Sequence, residues 1–205
     1  MKIGIICGSH RADSQSGRIA RHIESVLKTQ QLCDETWLYD LAGNPLPFWD
    51  EGIWSGDPKW QEILAPLSES VHSCDAFVVI SPEWHGMVPS GLKNFFLLWA
   101  GGGELAHKPA LIVTVSTSDG GAYPVNELRT SSYKNSRLCY LPENLIIRHA
   151  AKVFNDDDAD NDERSHTYLS ARLVYCLELL KEYAIAFKRI RASGKASLAT
   201  YTNGM

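Results

Sequence analysis

The segment from Gly8 to Gly17 carries side chains that suit a small anion. It holds hydroxyls at Ser9, Ser14 and Ser16 and the guanidinium of Arg11, and it leads into a predicted helix whose first N–H groups are free. Hydroxyl, guanidinium and N–H donors together fit a phosphate. Capping of the helix explains one serine, Ser14 or Ser16. Since Arg11 and Ser9 remain, the segment predicts a phosphate site.

The glycine pattern of this segment limits which phosphate it can hold. A dinucleotide fold needs Gly-x-Gly-x-x-Gly, and here only Gly8 and Gly17 are glycine. A P-loop needs a lysine after its last glycine, and none follows Gly17. A hydroxyl-rich loop without those glycines suits a terminal monophosphate such as that of FMN, so NAD is not predicted as its tightly held ligand.

A second candidate segment, 81–89, follows a clear apolar strand pattern. It contains the run Pro82, Glu83, Trp84, His85, Gly86. An aromatic ring on a rigid turn, with backbone N–H groups beside it, would stack next to a planar ring and hydrogen-bond its edge. An ordinary strand-to-helix turn in which the indole covers the end of the sheet explains the same residues.

A third candidate segment, 116–122, follows the next apolar strand pattern. It combines hydroxyls at Ser116 and Ser118 with the paired glycines Gly120 and Gly121. In an open parallel sheet, ligands bind beyond the carboxyl ends of the strands, where the three candidate segments would meet. The third segment is therefore predicted to close the other side of the same ring.

Apolar runs alternate with helical patterns along the chain. Strands are predicted at 2–7, 35–41, 75–80, 110–115 and 145–148, and helices at 16–29, around 60–67, at 92–99, at 122–138 and at 163–192. This alternation implies right-handed βαβ crossovers and a three-layer α/β domain with helices on both faces of the sheet. No repeat or linker divides residues 1–205, so a single domain is expected. One long irregular segment, 42–59, contains Phe48, Trp49 and Trp54.

Composition excludes several classes of protein. The 205 residues include 20 Lys+Arg and 24 Asp+Glu, a net charge of −4, which argues against nucleic acid as the main partner. The five cysteines are scattered and form no Cys-x-x-Cys pair, so the cytoplasm is the simplest location. No membrane segment, signal peptide or metal site is predicted. The acidic run 156–163 has no EF-hand spacing and is interpreted as solvated surface before the last helix.

Four stretches together resemble the NADPH-dependent FMN reductase family, which includes quinone, azo-dye and chromate reductases. They are the run 6–16, the run Tyr-Asp-Leu-Ala-Gly-Asn-Pro-Leu-Pro at 39–47, Ser-Pro-Glu-Trp-His-Gly at 81–86 with Leu-Lys-Asn at 92–94, and Gly-Gly with Leu-Arg at 120–129. The resemblance covers about residues 2–150. It implies a flavodoxin-like fold with a five-stranded parallel sheet in the order 2-1-3-4-5, to which the C-terminal helix 163–192 adds a cover.

The resemblance also implies roles for individual residues. The family's Gly-Ser-x-Arg-x-x-Ser-x-Asn/Ser motif for the FMN phosphate maps onto Ser9, Arg11, Ser14 and Ser16. Its Pro-Glu-Tyr-Asn-Gly-Ser turn, which holds the isoalloxazine ring, maps onto 82–87. In that turn this chain has Trp84 for Tyr, His85 for Asn and Met87 for Ser. The histidine is expected either to contact the flavin edge or to face solvent.

By this resemblance the chain is an NAD(P)H-dependent enzyme. Hydride passes from NADPH or NADH to bound FMN, and electrons then pass to free flavin, a quinone or a similar small molecule, with no catalytic side chain. A flavin-binding electron carrier or redox sensor without nicotinamide turnover is the alternative, although such carriers are usually strongly acidic. Trp49 and Trp54 are expected to wall the acceptor side or to form a dimer interface, in a homodimer or homotetramer.

Overall fold

The computed structural model describes residues 1–204 and contains one parallel sheet of five strands. The order is β2-β1-β3-β4-β5, as predicted. The strands are β1 (Lys2–Cys7), β2 (Glu35–Asp40), β3 (Ala76–Pro82), β4 (Pro109–Val115) and β5 (Cys139–Ile147). Strands β1, β3 and β4 are almost wholly buried because helices cover both faces of the sheet, and this explains their uninterrupted apolar sequences.

Six helices form the outer layers: α1 (Gln15–Thr29), α2 (Gly52–Ser55), α3 (Pro58–Ser73), α4 (Ser90–Leu98), α5 (Ala122–Ser131) and α6 (Glu163–Ala192). Helices α1 and α6 pack on one face of the sheet, and α3, α4 and α5 pack on the other. The apolar stripe predicted on α4 is confirmed, since Leu92, Phe95, Phe96 and Trp99 are all buried. These two layers leave the carboxyl ends of the strands free for loops.

Two predicted boundaries are wrong. Helix α5 ends at Ser131 rather than Leu138, and β5 begins at Cys139 rather than Leu145. The first half of β5 contains Pro142, and its pairing with β4 is irregular between Ala110 and Ile112. Because the early part of the strand lacks an uninterrupted apolar run, its sequence does not show the usual strand pattern. The short helix α2 also lies within the segment predicted to be irregular.

The sharp exit from β1 sets the position of the first candidate segment. The N–H of Gly8 donates to the carbonyl of Ile80 on β3 at 2.8 Å. A Cβ at Gly8 would lie 2.6 Å from a methyl group of Leu92 on α4 and 2.8 Å from the Ile80 carbonyl oxygen. Only glycine fits this gap, and the chain therefore turns directly over the sheet edge into α1.

The acidic run before the last helix lies on the surface, as the sequence predicted. Residues 156–160 of the acidic run are exposed, and Asp162 caps α6 by accepting from the Ser165 N–H at 2.9 Å.

Burial raises the pKa of the Cys7 thiol to about 12 and that of Cys74 to about 11, as expected for cysteines in a core. Within residues 1–204, no helix is both long and apolar enough to cross a membrane.

Lys108 is a buried lysine whose side-chain nitrogen caps the C-terminal end of helix α3. Its Nζ donates to the carbonyls of Val71 at 3.0 Å and His72 at 2.7 Å. Burial lowers the pKa of this lysine to about 8 from its ordinary 10.5. The neutral amine keeps two N–H donors, which still match the two carbonyls.

The lowered pKa of Lys108 predicts a rise in stability at alkaline pH. Between pH 8 and 10.5 the unfolded chain binds this proton and the folded chain does not, so the free energy of unfolding should increase with pH. Urea unfolding at several pH values should show this rise in the wild type relative to Lys108→Met. Parallel curves for the two proteins would contradict the lowered pKa.

Candidate functional site

A cavity of about 500 Å³ lies beyond the carboxyl ends of β1, β3 and β4. All twelve predicted cofactor-binding residues line it, and they come from three separate segments: Ser9, Arg11, Ser14, Ser16, Pro82, Glu83, Trp84, His85, Gly86, Ser116, Ser118 and Gly120. Asp13, Gln15, Val115 and Thr117 also line it and were not predicted. They are chain neighbours of predicted residues, and the sequence carries no signal that sets them apart.

The first segment presents a concentrated set of donors to this cavity. Ser9 and Ser16 are buried, with 1% and 2% exposure. Ser14 caps α1, since its Oγ accepts from the Gly17 N–H at 3.0 Å, and it lines the cavity as well. The guanidinium of Arg11 makes no ion pair with any carboxylate in residues 1–204. Buried hydroxyls, a helix start and an unpaired cation have the chemistry that a phosphomonoester requires.

The second segment ends in a tight hairpin turn from Trp84 to Met87. The two backbones exchange hydrogen bonds, Trp84 N to Met87 O at 3.1 Å and Met87 N to Trp84 O at 3.0 Å. The central residues His85 and Gly86 have φ angles of 52° and 78°. Two successive left-handed residues define the turn that favours Asn-Gly, and histidine is another residue type that tolerates this conformation. His85, which stands where the family has asparagine, thus adopts the left-handed conformation that asparagine favours.

Substitutions at His85 should separate backbone from side-chain roles. We expect His85→Asn to change the free energy of unfolding by less than about 0.5 kcal/mol, whereas His85→Val should cost about 1–2 kcal/mol because a β-branched residue is strained at positive φ. Urea unfolding measures both. Equal stability of the two variants would show that the turn does not require the left-handed conformation.

Trp84 packs edge-on against His10 with ring centroids 4.6 Å apart, and it is half-buried. The indole lines the main cavity and a second, shallower cavity beside it. His10 lines the shallower cavity only. The pair therefore forms a wall at one side of the candidate site, and His10 was not predicted to take part.

Glu83 connects the second segment to the third. Its Oε2 accepts from the Gly121 N–H at 2.6 Å, and its own N–H donates to the Val115 carbonyl at 3.0 Å. On the other side of Gly121, the Thr114 hydroxyl donates to the Gly121 carbonyl at 2.6 Å. Glu83 thus links the second and third segments by hydrogen bonds and also lines the cavity.

The loop after β4 is also held from the end of β5 by residues that sequence reasoning missed. Arg148 Nε donates to the carbonyls of Asp119 at 2.7 Å and Gly120 at 3.0 Å, and His149 Nε2 lies 2.9 Å from Asp119 Oδ1. The sequence did offer one signal for these two residues: they follow β5 directly, and the carboxyl end of β5 lies at the same edge of the sheet as the candidate site. These contacts order the third wall.

Trp49 and Trp54 are not brought to the candidate site. Their rings pack edge-to-face at 4.8 Å, and they line a different cavity together with Leu97 and Ala100 of the α4 region. Phe48 of the same segment lines another cavity, together with His10. Within one chain the two tryptophans therefore do not line the candidate site, and their expected place at an acceptor wall or a dimer interface stays a prediction.

Comparison with known proteins connects this geometry to a family. The family model for NADPH-dependent FMN reductase matches residues 1–152. The chain belongs to this family. It is therefore an NAD(P)H-dependent oxidoreductase that uses FMN, as the resemblance implied, and the alternative of a simple electron carrier is not supported.

Several relatives are similar over most of the chain. An NADPH azoreductase of Bacillus sp. (strain OY1-2) is 28% identical over 134 residues, which is 64% of this chain and 68% of the relative. A quinone reductase of Pseudomonas putida is 24% identical over 165 residues, 78% of this chain and 85% of the relative. Both alignments cover more than half of this chain.

Solved structures share the fold. A flavoenzyme NAD(P)H:(acceptor) oxidoreductase from Paracoccus denitrificans superposes with a TM-score of 0.68 at 18% identity, covering 91% of this chain and 98% of that one. An NADH:FMN oxidoreductase in its apo form gives a TM-score of 0.66 at 14% identity, covering 88% of each chain. The flavodoxin-like architecture predicted for the chain is thus confirmed.

Proposed function

We propose that this enzyme holds FMN in the 500 Å³ cavity and transfers electrons from NAD(P)H to a quinone or a similar small acceptor. The observation that carries the proposal is the convergence of a donor-rich, cationic first segment with an aromatic turn and a hydroxyl-bearing loop. These three surfaces complement the phosphate and the planar ring of one flavin nucleotide. We also propose that the chain acts as one flavin-binding domain, because α6 shares a core cluster with β1 and α1.

Each segment has a proposed binding role. Arg11 and the hydroxyls of Ser9, Ser14 and Ser16 hold the phosphate at the start of α1, where the helix dipole adds to the attraction. The backbone of the 84–87 turn and the loop 116–120 hold the edges of the ring, and the Trp84 indole excludes water on one side. Bound FMN supplies hydride acceptance and electron transfer, so these residues bind and orient without acting as nucleophiles.

The acceptor is proposed from the names of the relatives and from chemical balance. The azoreductase and quinone reductase relatives point to conjugated aromatic acceptors. For a quinone, a hydride equivalent from NAD(P)H and one proton from solvent yield the hydroquinone and NAD(P)⁺. Free flavin is a conjugated acceptor of the same chemical class.

We further propose a cytoplasmic homodimer or homotetramer. All five cysteines are free in the structure, which suits a reducing compartment. Trp54, with 79% exposure, and other aromatic side chains on the surface are the kind of groups that subunit interfaces cover. Light scattering at several protein concentrations measures the assembly directly.

Flavin uptake and reduction test the proposed function. Purified protein mixed with FMN and passed through a desalting column should be yellow, NADPH should bleach it without oxygen, and added quinone should restore the colour. Wild-type protein incubated with riboflavin is the matched control for the phosphate. Protein that emerges colourless would contradict the proposal, and yellow protein that NADPH cannot reduce would favour an electron carrier.

A further inference from the structure

Gln15, the first residue of α1, lines the flavin cavity, and its side chain is held by Arg18 one turn later. The Gln15 Oε1 accepts from the guanidinium twice, from Nε at 2.9 Å and from Nη2 at 2.8 Å. A guanidinium can only donate, so the amide oxygen must face Arg18. The amide nitrogen is therefore turned away from Arg18, and within residues 1–204 it donates to no other group.

The Arg18 guanidinium is itself fixed by backbone carbonyls of the segment after β5. It donates to the carbonyls of Ala150 at 2.5 Å, Val153 at 2.9 Å and Phe154 at 2.5 Å. Together with the bonds to Gln15, these contacts use all three guanidinium nitrogens, and every acceptor is a neutral oxygen. Because the guanidinium is planar and its donors have a fixed geometry, Arg18 holds the glutamine amide in one orientation.

The carbonyls that hold the guanidinium belong to a well-anchored stretch of backbone. His22 of α1 stacks on the Phe154 ring with centroids 4.4 Å apart, and the Phe154 N–H donates to Nδ1 of His166 on α6 at 3.1 Å. At the other end of the stretch, the Ala150 N–H donates at 3.0 Å to the carbonyl of Ser116, a residue that lines the flavin cavity. The first and third walls of the cavity are thus connected from behind.

We propose that the Gln15 side-chain amide donates to the FMN phosphate and that Arg18 is the positioning residue that turns the amide nitrogen toward it. The inference rests on the proposed function and deepens it. Gln15 lies between Ser14 and Ser16, whose hydroxyls line the same cavity. A glutamine that nothing held could also turn its oxygen to the phosphate, where two acceptors would repel each other. Arg18 prevents that orientation.

The preference for FMN over riboflavin, measured as the ratio of the two Kd values on oxidised protein, tests the donor. General loosening of the fold weakens both ligands and leaves this ratio unchanged. Gln15→Met keeps the length of the side chain without a donor, so the preference should fall about tenfold. Gln15→Glu should lower it further, because the carboxylate still accepts from Arg18 but brings a negative charge to the phosphate. Gln61→Met, the same substitution at an exposed position of α3, should leave it unchanged.

A double-mutant cycle tests the positioning role of Arg18. Arg18→Met should lower the FMN preference about fivefold in the wild type but less than about twofold in the Gln15→Met background, because Arg18 acts through the amide. If Arg18→Met does not fold, Arg18→Lys serves in the same cycle, since an ammonium lacks the planar pair of donors. Equal losses in both backgrounds would show that Arg18 acts by its charge alone, and would overturn the positioning role.

NMR of protein labelled with ¹⁵N at glutamine detects the contact directly. The side-chain NH₂ signal of Gln15, assigned by its absence in Gln15→Met, should shift on adding FMN and stay in place on adding riboflavin. A signal that moves equally with both ligands, or an unchanged FMN preference in Gln15→Met, would overturn the donor role. Wild-type protein that takes up no FMN is a separate result, which would instead reject the proposed function.

Discussion

Replacing Arg11 with alanine should weaken FMN binding by about 1.5–3 kcal/mol, which is roughly a 10- to 150-fold increase in Kd. Arg11 lines the main cavity beside the buried hydroxyls of Ser9 and Ser16, and no carboxylate in residues 1–204 neutralises it. Its charge is therefore available to a phosphate dianion. Quenching of flavin fluorescence during titration with protein measures the effect.

Two comparisons make the Arg11 result specific. Riboflavin lacks the phosphate, so its Kd should change by less than about twofold in Arg11→Ala. Arg189→Ala, which removes an exposed arginine from α6, should leave FMN binding as in the wild type. Equal weakening of FMN and riboflavin would place Arg11 at the ring rather than at the phosphate, and unchanged FMN affinity would reject the phosphate site.

Replacing Gly121 with alanine should destabilise the protein by about 2–3 kcal/mol and weaken FMN binding at the same time. Gly121 has a φ of 106°, which side chains rarely adopt, and an added Cβ would lie 2.7 Å from a methyl group of Ile146 on β5. The glycine N–H and carbonyl also bond to Glu83 and Thr114. Relief of the clash would move the loop and break these contacts.

Thermal unfolding and flavin titration together test the Gly121 substitution. The melting temperature should fall by roughly 5–10 °C, given the size of the chain. Gly43→Ala is the matched control, because an added Cβ there meets no atom within 4 Å and its φ is not positive. If the Gly121→Ala variant melted like Gly43→Ala and bound FMN normally, the loop would not depend on the glycine conformation.

The candidate site was predictable from sequence because its donors lie in short runs directly after strands. Ser9 and Arg11 follow β1, the 82–86 run follows the core of β3, and Ser116 follows β4. In a parallel sheet all carboxyl ends lie at one edge, so identifying the strands was sufficient to bring the segments together. The wrong boundaries at the end of helix α5 and the start of strand β5 did not affect this, since both lie at the opposite edge of the sheet from the site.

Contacts between distant side chains were not predictable in the same way. Three contacts join loops that are far apart in the chain: His10 packs on Trp84, the Gly121 N–H donates to the Glu83 carboxylate, and the Arg148 guanidinium donates to the Asp119 carbonyl. These residue types are common in surface loops, and nothing in the sequence around each residue specifies its partner. The left-handed conformation of His85 was likewise visible only in the backbone of the turn.

The sequence by itself determined the layered α/β fold and which three segments line the candidate cofactor cavity, because strand patterns and helix starts are local properties of the sequence. Only the tertiary structure decided which cavity each aromatic side chain of the irregular segment lines. Trp49, Phe48 and Trp54 lie in one irregular segment without a repeating pattern. There, two hydrogen bonds to the buried Asn94 fix the backbone around Phe48, which lines a cavity together with His10, while the tryptophans line a different cavity near α4.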